Sequence, residues 1–190
     1  MKKDIEAIFT ESIRVKEETL KNNLPKIVTV IEEIISVLNN QKKIFFFGNG
    51  GSAADSQHIA AEFVGRFQKE RQALPAIALT TDSSILTALG NDYGFDVVFA
   101  RQIEALGNKG DLAVGISTSG NSKNVIEAIK QAKKQGLKTL SLTGCGGGPL
   151  AKLTDFSIIV PSQVTARIQE SHICIAHTIC ELVERNFIKK

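Results

Sequence analysis

The stretch KIFFFGNGGSAADSQHIAAE, residues 43–62, joins an apolar run to a glycine turn and then to a segment with helical character. Residues 44–47 predict a buried strand, because an unbroken apolar run bounded by glycine is typical of a strand covered on both faces. The chain then turns at Gly48, Gly50 and Gly51, where the missing side chains leave room for backbone N–H groups to surround an anion. This order of elements predicts an α/β fold with a phosphate-sized binding loop after its first strand.

The helix predicted after this turn carries the first candidate catalytic pair. Ser52 is placed to cap the helix, whose positive N-terminus is aimed at the same loop. His58 and Glu62 are four residues apart, so they share one face of the helix. Alone, such a pair is explained equally well as an exposed ion pair or as part of a functional site.

Downstream, short apolar strands alternate with helical stretches, a pattern typical of a parallel sheet wrapped by helices. Further strands are predicted at residues 76–79, 112–116, 139–142 and 157–160, with helices at 52–64, 83–89, 97–106, 122–135, near 150 and from about 165 to 187. The predicted fold is therefore a doubly wound, five-stranded parallel sheet of the flavodoxin-like class, flanked by helices.

Two helices are predicted before the sheet. Apolar residues recur at helical spacing in residues 5–13 and again in residues 27–35. A break between the two helices is expected near residues 22–25, which end in a proline.

Ligands of such sheets bind beyond the carboxyl ends of the strands, where the strand order reverses. After the third predicted strand the chain reads Ser117-Thr118-Ser119-Gly120-Asn121-Ser122, and hydroxyl and N–H groups at a helix start suit phosphate oxygens. Glycine and serine after one strand are usually only a turn and a cap, but two such loops on one sheet favour a binding site. Between them, Gly90-Asn91-Asp92-Tyr93-Gly94 offers an amide and a carboxylate for sugar hydroxyls, although alone it is more typical of an Asx turn.

The last predicted helix is apolar except for a few polar residues, which include Gln169, Glu170, His172 and His177. A polar side chain on a mostly buried helix destabilises the fold unless it has a partner. A lone histidine there is usually a hydrogen-bonded core residue, and we interpret His172 in this way. Because His58 and Glu62 form another polar pair elsewhere in the chain, His177 is a candidate for the same site.

Composition excludes several classes of function. The 190-residue chain has a formal net charge of +3 with scattered charges, too little to indicate nucleic-acid or anionic-membrane binding. Its three cysteines lack Cys-x-x-Cys spacing, so neither a disulfide framework nor a cysteine zinc site is expected. No apolar stretch is long enough to span a membrane and no signal peptide is recognisable, so we expect a cytoplasmic protein.

One domain is expected over residues 1–190, with a helical extension at 1–40 for oligomer packing and an α/β core with the last helix at 41–190.

A dinucleotide-binding site is an alternative for the first loop. Gly48-x-Gly50-x-x-Ala53 fits the G-x-G-x-x-G/A pattern between a strand and a helix. However, the acidic residue expected about 20 positions later is not well placed, since Glu70 precedes the second predicted strand and Asp82 follows it. A P-loop is excluded, because no G-x-x-x-x-G-K-[ST] sequence occurs.

Together, GNGGSAADSQH and ISTSGNS resemble the sugar isomerase (SIS) domain family, whose members bind phosphorylated sugars. Within it, His58-x-x-x-Glu62, Gly90-Asn91-Asp92 and the segment from Arg167-Ile168-Gln169-Glu170 through His177 resemble the phosphoheptose isomerases. The resemblance implies an aldose–ketose isomerase that converts sedoheptulose 7-phosphate to D-glycero-D-manno-heptose 7-phosphate, the first step of heptose supply for lipopolysaccharide or capsule. It also implies a homotetramer with active sites between subunits and one bound zinc ion per subunit.

The resemblance also implies roles for particular residues. Its phosphate site falls on Ser117, Thr118, Ser119 and Ser122, and its sugar contacts fall on Asn49, Gly50, Gly51, Asn91, Asp92 and Gln169, with Ser52 and Glu62 also counted as substrate-binding. Its zinc ligands correspond to His58, Glu62, Gln169 and His177, and Glu62 with His177 also match its acid/base pair. Residues eight apart on a helix are separated by roughly 12 Å along its axis, so Gln169 and His177 reach one metal only by leaning together or through another subunit. Whether Glu62 serves as ligand, base or both stays open.

Two other kinds of SIS protein are alternatives. A non-enzymatic relative that binds the bacterial replication initiator has similar loops but lacks acid/base residues at the positions of Glu62 and His177. Their presence here favours the enzyme. An SIS domain that senses sugar phosphates for a transcription factor would call for an attached DNA-binding domain, for which we expect no room in 190 residues.

Overall fold

The computed structural model describes residues 1–188 and contains a central sheet of five parallel strands. The strands are β1 (Ile44–Gly48), β2 (Ala76–Ala78), β3 (Leu112–Ser117), β4 (Lys138–Thr143) and β5 (Phe156–Ile159), in the spatial order β2-β1-β3-β4-β5. Neighbouring strands all pair in parallel, which confirms the predicted five-stranded, flavodoxin-like sheet.

Helices cover both faces of this sheet, in positions close to those predicted. They are α1 (Lys2–Asn39), α2 (Gly51–Val64), α3 (Ser83–Tyr93), α4 (Val98–Leu106, after a 3₁₀ turn at Phe95–Val97), α5 (Lys123–Lys134), α6 (Gly148–Leu153) and α7 (Thr165–Glu184). After β1 the largest difference is in α3, which continues through Asn91 and Asp92, although these residues were expected in a loop. The helix ends instead at Tyr93, and the next residue, Gly94, has a φ of 87°, which suits a glycine after a helix. Helix α7 ends at Glu184, about three residues earlier than predicted.

The side chains of β1 alternate between two apolar cores, which explains its unbroken apolar run. Ile44 and Phe46 face the core shared with α1, α2 and α7. Phe45 and Phe47 face the opposite core, which is shared with α4, α5 and α6. Since β1 is buried on both faces, its carboxyl end is held rigidly at the point where the first predicted binding loop begins.

Helix α1 is continuous, so the prediction of two N-terminal helices joined near residues 22–25 was wrong. Pro25 lies inside α1 and has no N–H for the carbonyl four residues earlier, a loss that costs about 3 kcal/mol in a helix interior. Tertiary contacts offset this loss. Asn23 is buried, and its Nδ2 donates to the carbonyls of Thr19 and Ile159 at 3.0 and 3.1 Å. The second half of α1 also packs its apolar face against α7 and β5.

The first turns of α1 present an apolar stripe to solvent. Ile5, Ile8, Phe9 and Ile13 are between 51% and 67% exposed. Contiguous exposed apolar side chains are typical of surfaces that contact another molecule. Among the helices of residues 1–188, none is long and apolar enough to cross a membrane.

The strand order reverses between β1 and β3, since the chain passes from β1 to one side of the sheet and from β3 to the other. Two loops follow these adjacent strands. We call residues 48–51, after β1, the glycine loop, and residues 117–122, after β3, the serine loop. Both therefore lie at the edge where doubly wound sheets bind their ligands.

Candidate active site

The glycine loop turns the chain from β1 into α2. Gly50 is the N-cap residue and has a φ of 56°, a conformation that favours glycine. A Cβ on Gly51 would collide with the side-chain amide of Gln169. The prediction that Ser52 caps α2 was wrong, because Gly50 takes the capping position and Ser52 is buried inside the first turn.

Asn49 of the glycine loop is paired with Asn124, in the first turn of α5. Nδ2 of Asn49 donates to Oδ1 of Asn124 at 2.9 Å, and Nδ2 of Asn124 donates to Oδ1 of Asn49 at 2.8 Å. Asn124 Oδ1 also accepts the backbone N–H of Val125 at 2.9 Å. Sequence reasoning missed Asn124, because its partner is 75 residues away and no local pattern links the two.

The serine loop contains the four residues predicted to bind phosphate. The hydroxyl oxygens of Ser117 and Ser122 are 2.9 Å apart, and Ser119 Oγ accepts the N–H of Asn121 at 3.1 Å. Helix α5 begins directly after the loop, so the positive end of its dipole faces these hydroxyl groups. Such a loop is suited to a phosphate group.

A second glycine-rich segment, residues 144–148, packs against the serine loop. The N–H of Gly144 donates to the carbonyl of Thr118 at 3.0 Å. Gly120 has a φ of 66°, and a Cβ there would collide with the carbonyl of Gly147. No role was predicted for this segment, although its run of glycines indicates that another backbone approaches closely.

Helices α2 and α7 bring together three of the predicted catalytic and metal-binding residues. The Nε2 atoms of His58 and His177 are 2.9 Å apart, and Glu62 Oε1 lies 3.4 Å from His58 Nε2. The side chains of His58 and Glu62 are 48% and 23% exposed, so a ligand can reach the cluster from solvent. These residues are adjacent although His58 and His177 are 119 positions apart in the chain.

Gln169 lies about two turns before His177 on α7, against Gly51 at the start of α2. Since Gly51 faces Gln169 and His58 faces His177, α2 and α7 run side by side in the same direction. Within one chain, Gln169 and His177 are therefore separated by the roughly 12 Å along the α7 axis that their spacing predicts.

Asp55 precedes His58 by one turn of α2 and was not singled out from the sequence. Its Oδ2 atom is buried and has no hydrogen-bond partner among the described residues. Burial raises the pKa of the Asp55 carboxyl, while the nearby imidazoles of His58 and His177 partly oppose this shift. A carboxylate beside a functional imidazole often fixes the orientation of the ring, and Asp55 is a candidate for that role beside His58 and His177.

Asn91 and Asp92 occupy the last turn of α3. Both are exposed, and Asn91 Nδ2 donates to Asp92 Oδ1 at 2.8 Å. Their contact with a sugar stays a prediction.

The donor types in the cluster fit a zinc ion. Zinc binds imidazole nitrogen and carboxylate oxygen, and two nitrogens on one tetrahedral ion lie roughly 3.3 Å apart. The Nε2 atoms of His58 and His177, at 2.9 Å with Glu62 beside them, are close to that spacing. Across residues 1–188, no group of three or more His, Cys, Asp or Glu side chains is already arranged to hold a metal ion.

The arrangement can transfer protons on a bound anion. A carboxylate at Glu62 and an imidazole at His177 can each accept and donate a proton. The glycine and serine loops lie at the ends of the neighbouring strands β1 and β3 and offer N–H and hydroxyl groups. Such a site is suited to proton transfer on a phosphorylated substrate.

Comparison with known proteins agrees with this geometry. Residues 8–144 match the SIS domain family. Phosphoheptose isomerase from Aquifex aeolicus (strain VF5) is 55% identical over 97% of this chain and 96% of its own length. The solved structure of phosphoheptose isomerase GmhA from Neisseria gonorrhoeae is 48% identical, with a TM-score of 0.92 over 97% of this chain and 98% of that chain. A phosphoheptose isomerase structure from Francisella tularensis is 39% identical, with a TM-score of 0.93 over 96% of this chain and 97% of that chain.

Two loop motifs, one fold and near full-length similarity thus agree, and the chain belongs to the SIS domain family and, within it, to the phosphoheptose isomerases.

Proposed function

We propose that this chain isomerises sedoheptulose 7-phosphate to D-glycero-D-manno-heptose 7-phosphate. The observation that carries the proposal is the cluster of His58, Glu62 and His177 on the two helices beside the glycine loop. The family relationship supports the substrate, because the relatives compared above are phosphoheptose isomerases.

The serine loop binds the phosphate group of the substrate, through its hydroxyl groups and the start of α5. The glycine loop binds the sugar, with Asn49 held in place by Asn124. Gly50 and Gly51 of the same loop also contact the sugar, and the remaining contacts come from Ser52, Glu62, Asn91, Asp92 and Gln169.

The reaction moves the carbonyl group from C2 to C1 through an enediol. Glu62 takes a proton from C1, which breaks the C1–H bond, and a proton delivered to C2 forms the new C–H bond. His177 manages the oxygen protons, since O2 gains one and O1 loses one. The product is an isomer, so no oxidant or reductant is consumed.

We propose that His58, Glu62, Gln169 and His177 hold one zinc ion per subunit. Because Gln169 lies about two turns from His177 in the same chain, it reaches that ion only by leaning toward it or through another subunit. When bound, zinc polarises the substrate carbonyl and stabilises negative charge on its oxygen. Glu62 Oε1 faces His58, which leaves Oε2 to accept the proton from C1.

Assembly and cellular role belong to the same proposal. The exposed apolar stripe of α1 packs against other copies of the chain in a homotetramer with active sites between subunits. The enzyme acts in the cytoplasm, where its product supplies heptose for lipopolysaccharide or capsule.

The test is an NMR assay of the purified chain with sedoheptulose 7-phosphate in deuterated water, after chelation and again after addition of zinc. The aldose phosphate should appear with deuterium at C2, because the enediol exchanges its proton with solvent. A faster reaction with zinc supports the metal site, and an equal rate in both samples contradicts it. If the sugar phosphate binds without any turnover, the isomerase assignment fails, and binding to the replication initiator becomes the function to test.

A further inference from the structure

Residues 65–71 follow α2 in the chain and also contact α7, and we call this segment the brace loop. Its last residue, Arg71, is buried and lies at the carboxyl end of α2. Nη2 of Arg71 donates to the carbonyl of Glu62 at 2.7 Å, and Nη1 donates to the carbonyl of Phe63 at 2.8 Å. These carbonyls belong to the last turn of α2 and have no partner within an ideal helix. Arg71 therefore fixes the backbone of the proposed base.

Glu184 at the end of α7 holds the middle of the brace loop. Its Oε1 accepts the N–H of Phe67 at 2.8 Å, and its Oε2 accepts those of Gln68 and Lys69 at 2.8 and 2.9 Å. Its carboxylate also lies 3.5 Å from Arg71 Nε, and both side chains are 2% exposed. Burial alone would raise the pKa of Glu184, but the three N–H groups and Arg71 outweigh it and lower the pKa, so the carboxylate is ionised.

The brace loop also touches the proposed acid. The ring of Phe67 packs on the imidazole of His177, with centroids 5.5 Å apart. His177 and Glu184 are seven residues apart on α7, about two turns, so they lie on the same face of the helix. One loop thus contacts Glu62 through Arg71 and His177 through Phe67, while Glu184 holds that loop.

We propose that Glu184 is a positioning residue that sets the placement of Glu62 on α2 relative to His177 on α7 through the brace loop. This inference rests on the proposed function, since it assigns Glu184 to the same acid/base pair. The Glu184 side chain is buried and bonds to the brace loop rather than to the glycine or serine loop. The serine loop, which binds phosphate, receives no hydrogen bond from the brace loop among the described residues. The substitution of Glu184 should therefore alter turnover much more than substrate binding.

The first test is Glu184→Gln, which keeps the shape of the side chain but replaces one acceptor oxygen with an amide. We expect kcat to fall by about 10-fold to 100-fold with KM within about 2-fold, because small misplacement of reacting groups has effects of that size. Rates are compared per folded molecule, well below the melting temperature of each variant.

The matched control is Asp111→Asn. Asp111 is also buried, pairs with Lys43 at 2.7 Å and accepts backbone N–H groups, but it lies at the amino ends of β1 and β3. Its substitution should lower the melting temperature with kcat unchanged. If both variants lose kcat equally, or if Glu184→Gln keeps the native kcat, Glu184 has a structural role alone and the inference is overturned.

A second variant covers the case in which Glu184→Gln does not fold, and a spectroscopic measurement adds a readout besides turnover. Phe67→Leu removes the ring from His177 without removing a buried charge, and it should reproduce the loss of kcat. In metal-free protein with labelled histidine, the NMR signals of the His177 ring should shift in Glu184→Gln, which retains the Phe67 ring, because the position of the His177 ring changes. They should stay in place in Asp111→Asn. In Phe67→Leu the loss of the aromatic ring current shifts these signals by itself, so that variant is judged by its kcat. A native kcat in Phe67→Leu, or unshifted His177 signals in folded Glu184→Gln, overturns the inference. Since the NMR shifts need no turnover, they answer the question even if the wild-type chain does not isomerise the proposed substrate.

Discussion

Asn49 and Asn124 hold each other by two amide hydrogen bonds across the carboxyl ends of the adjacent strands β1 and β3. This pair joins the loop proposed to bind the sugar to the helix whose N-terminus is proposed to bind the phosphate. The distance between the two binding loops is thereby fixed before the substrate arrives. Pre-organisation of this kind lowers the free energy needed to order the site on binding.

The first prediction concerns this pair. Asn124→Ala should raise KM by about 10-fold and lower the free energy of unfolding by about 1–2 kcal/mol, because the Asn49 amide loses its partner. Steady-state kinetics and thermal unfolding measure the two effects. Asn40→Ala, which removes an exposed amide bonded to Ser36 at the end of α1, should change neither by a comparable amount. A native KM for Asn124→Ala would contradict the prediction.

The second prediction concerns the proposed acid/base pair. Glu62→Gln and His177→Ala should each lower kcat by about 10²-fold to 10⁴-fold, the usual range for loss of a general acid or base. Folding and oligomer size should stay native, as circular dichroism and size-exclusion chromatography with light scattering would show. The matched control is Glu104→Gln, since Glu104 is exposed and pairs with Arg101. A variant with a near-native rate would remove the role assigned to its residue.

The third prediction concerns the metal. After dialysis against zinc and then against buffer, the wild-type chain should retain about one zinc ion per subunit, by the ligand count of such sites. His58→Ala should retain far less, while His172→Gln should retain the native amount. Elemental analysis gives the content without any assay of activity. Equal zinc in wild type and His58→Ala would exclude His58 as a ligand.

The fourth prediction concerns pH and stability. Burial lowers the pKa of His172 from 6.5 to about 4, although its hydrogen bond with the carbonyl of Thr143 opposes the shift. As the pH falls, the His172 imidazole therefore takes up a proton near pH 6.5 in the unfolded chain but only near pH 4 in the folded chain. The free energy of unfolding should fall by roughly 3 kcal/mol from this group as the pH drops through that window.

Urea unfolding of chelated protein at several pH values measures this slope. In His172→Gln the contribution should be missing, so its stability should fall less steeply with acid. Parallel slopes for the two proteins would show that His172 does not resist protonation in the folded state.

The fifth prediction concerns assembly. Phe9→Glu places a charge in the apolar stripe of α1, where Phe9 is 67% exposed, and should convert the proposed tetramer to smaller species. Leu106→Glu is the control, because Leu106 is an apolar residue exposed at the end of α4, outside the stripe. Light scattering measures both. A native mass for Phe9→Glu would mean that this stripe is not the interface.

The parts of the fold that could be predicted from the sequence depend on local pattern. The apolar runs of β1 and β3 and the glycine or serine turns after them record burial and turn geometry in adjacent residues, and their placement was correct. The continuity of α1 could not be predicted in this way. Pro25 is a local signal for a break, and the buried contact of Asn23 with Ile159 that offsets it is 136 residues distant.

In the candidate site, too, local spacing could be predicted from the sequence and long-range packing could not. His58 and Glu62 could be paired from their spacing on one helix, but their approach to His177 depends on how α2 and α7 pack. Arg71 and Glu184 carried no sequence signal, because their partners are mostly backbone groups, and any residue type supplies those. The resemblance to a known family supplied what spacing alone could not.

The side-by-side packing of α2 and α7 restricts insertions and deletions within these two helices. The two helices are held together at three places: Gly51 with Gln169, His58 with His177, and the brace loop with Glu184. Deleting one residue between two of these contacts would rotate every residue beyond the deletion by about 100° and shift it by about 1.5 Å along the helix. No side-chain substitution could then restore both contacts at once. The count of residues between Gln169 and His177 is therefore as much a part of the site as the residues themselves, and loops rather than these helices are where length can vary.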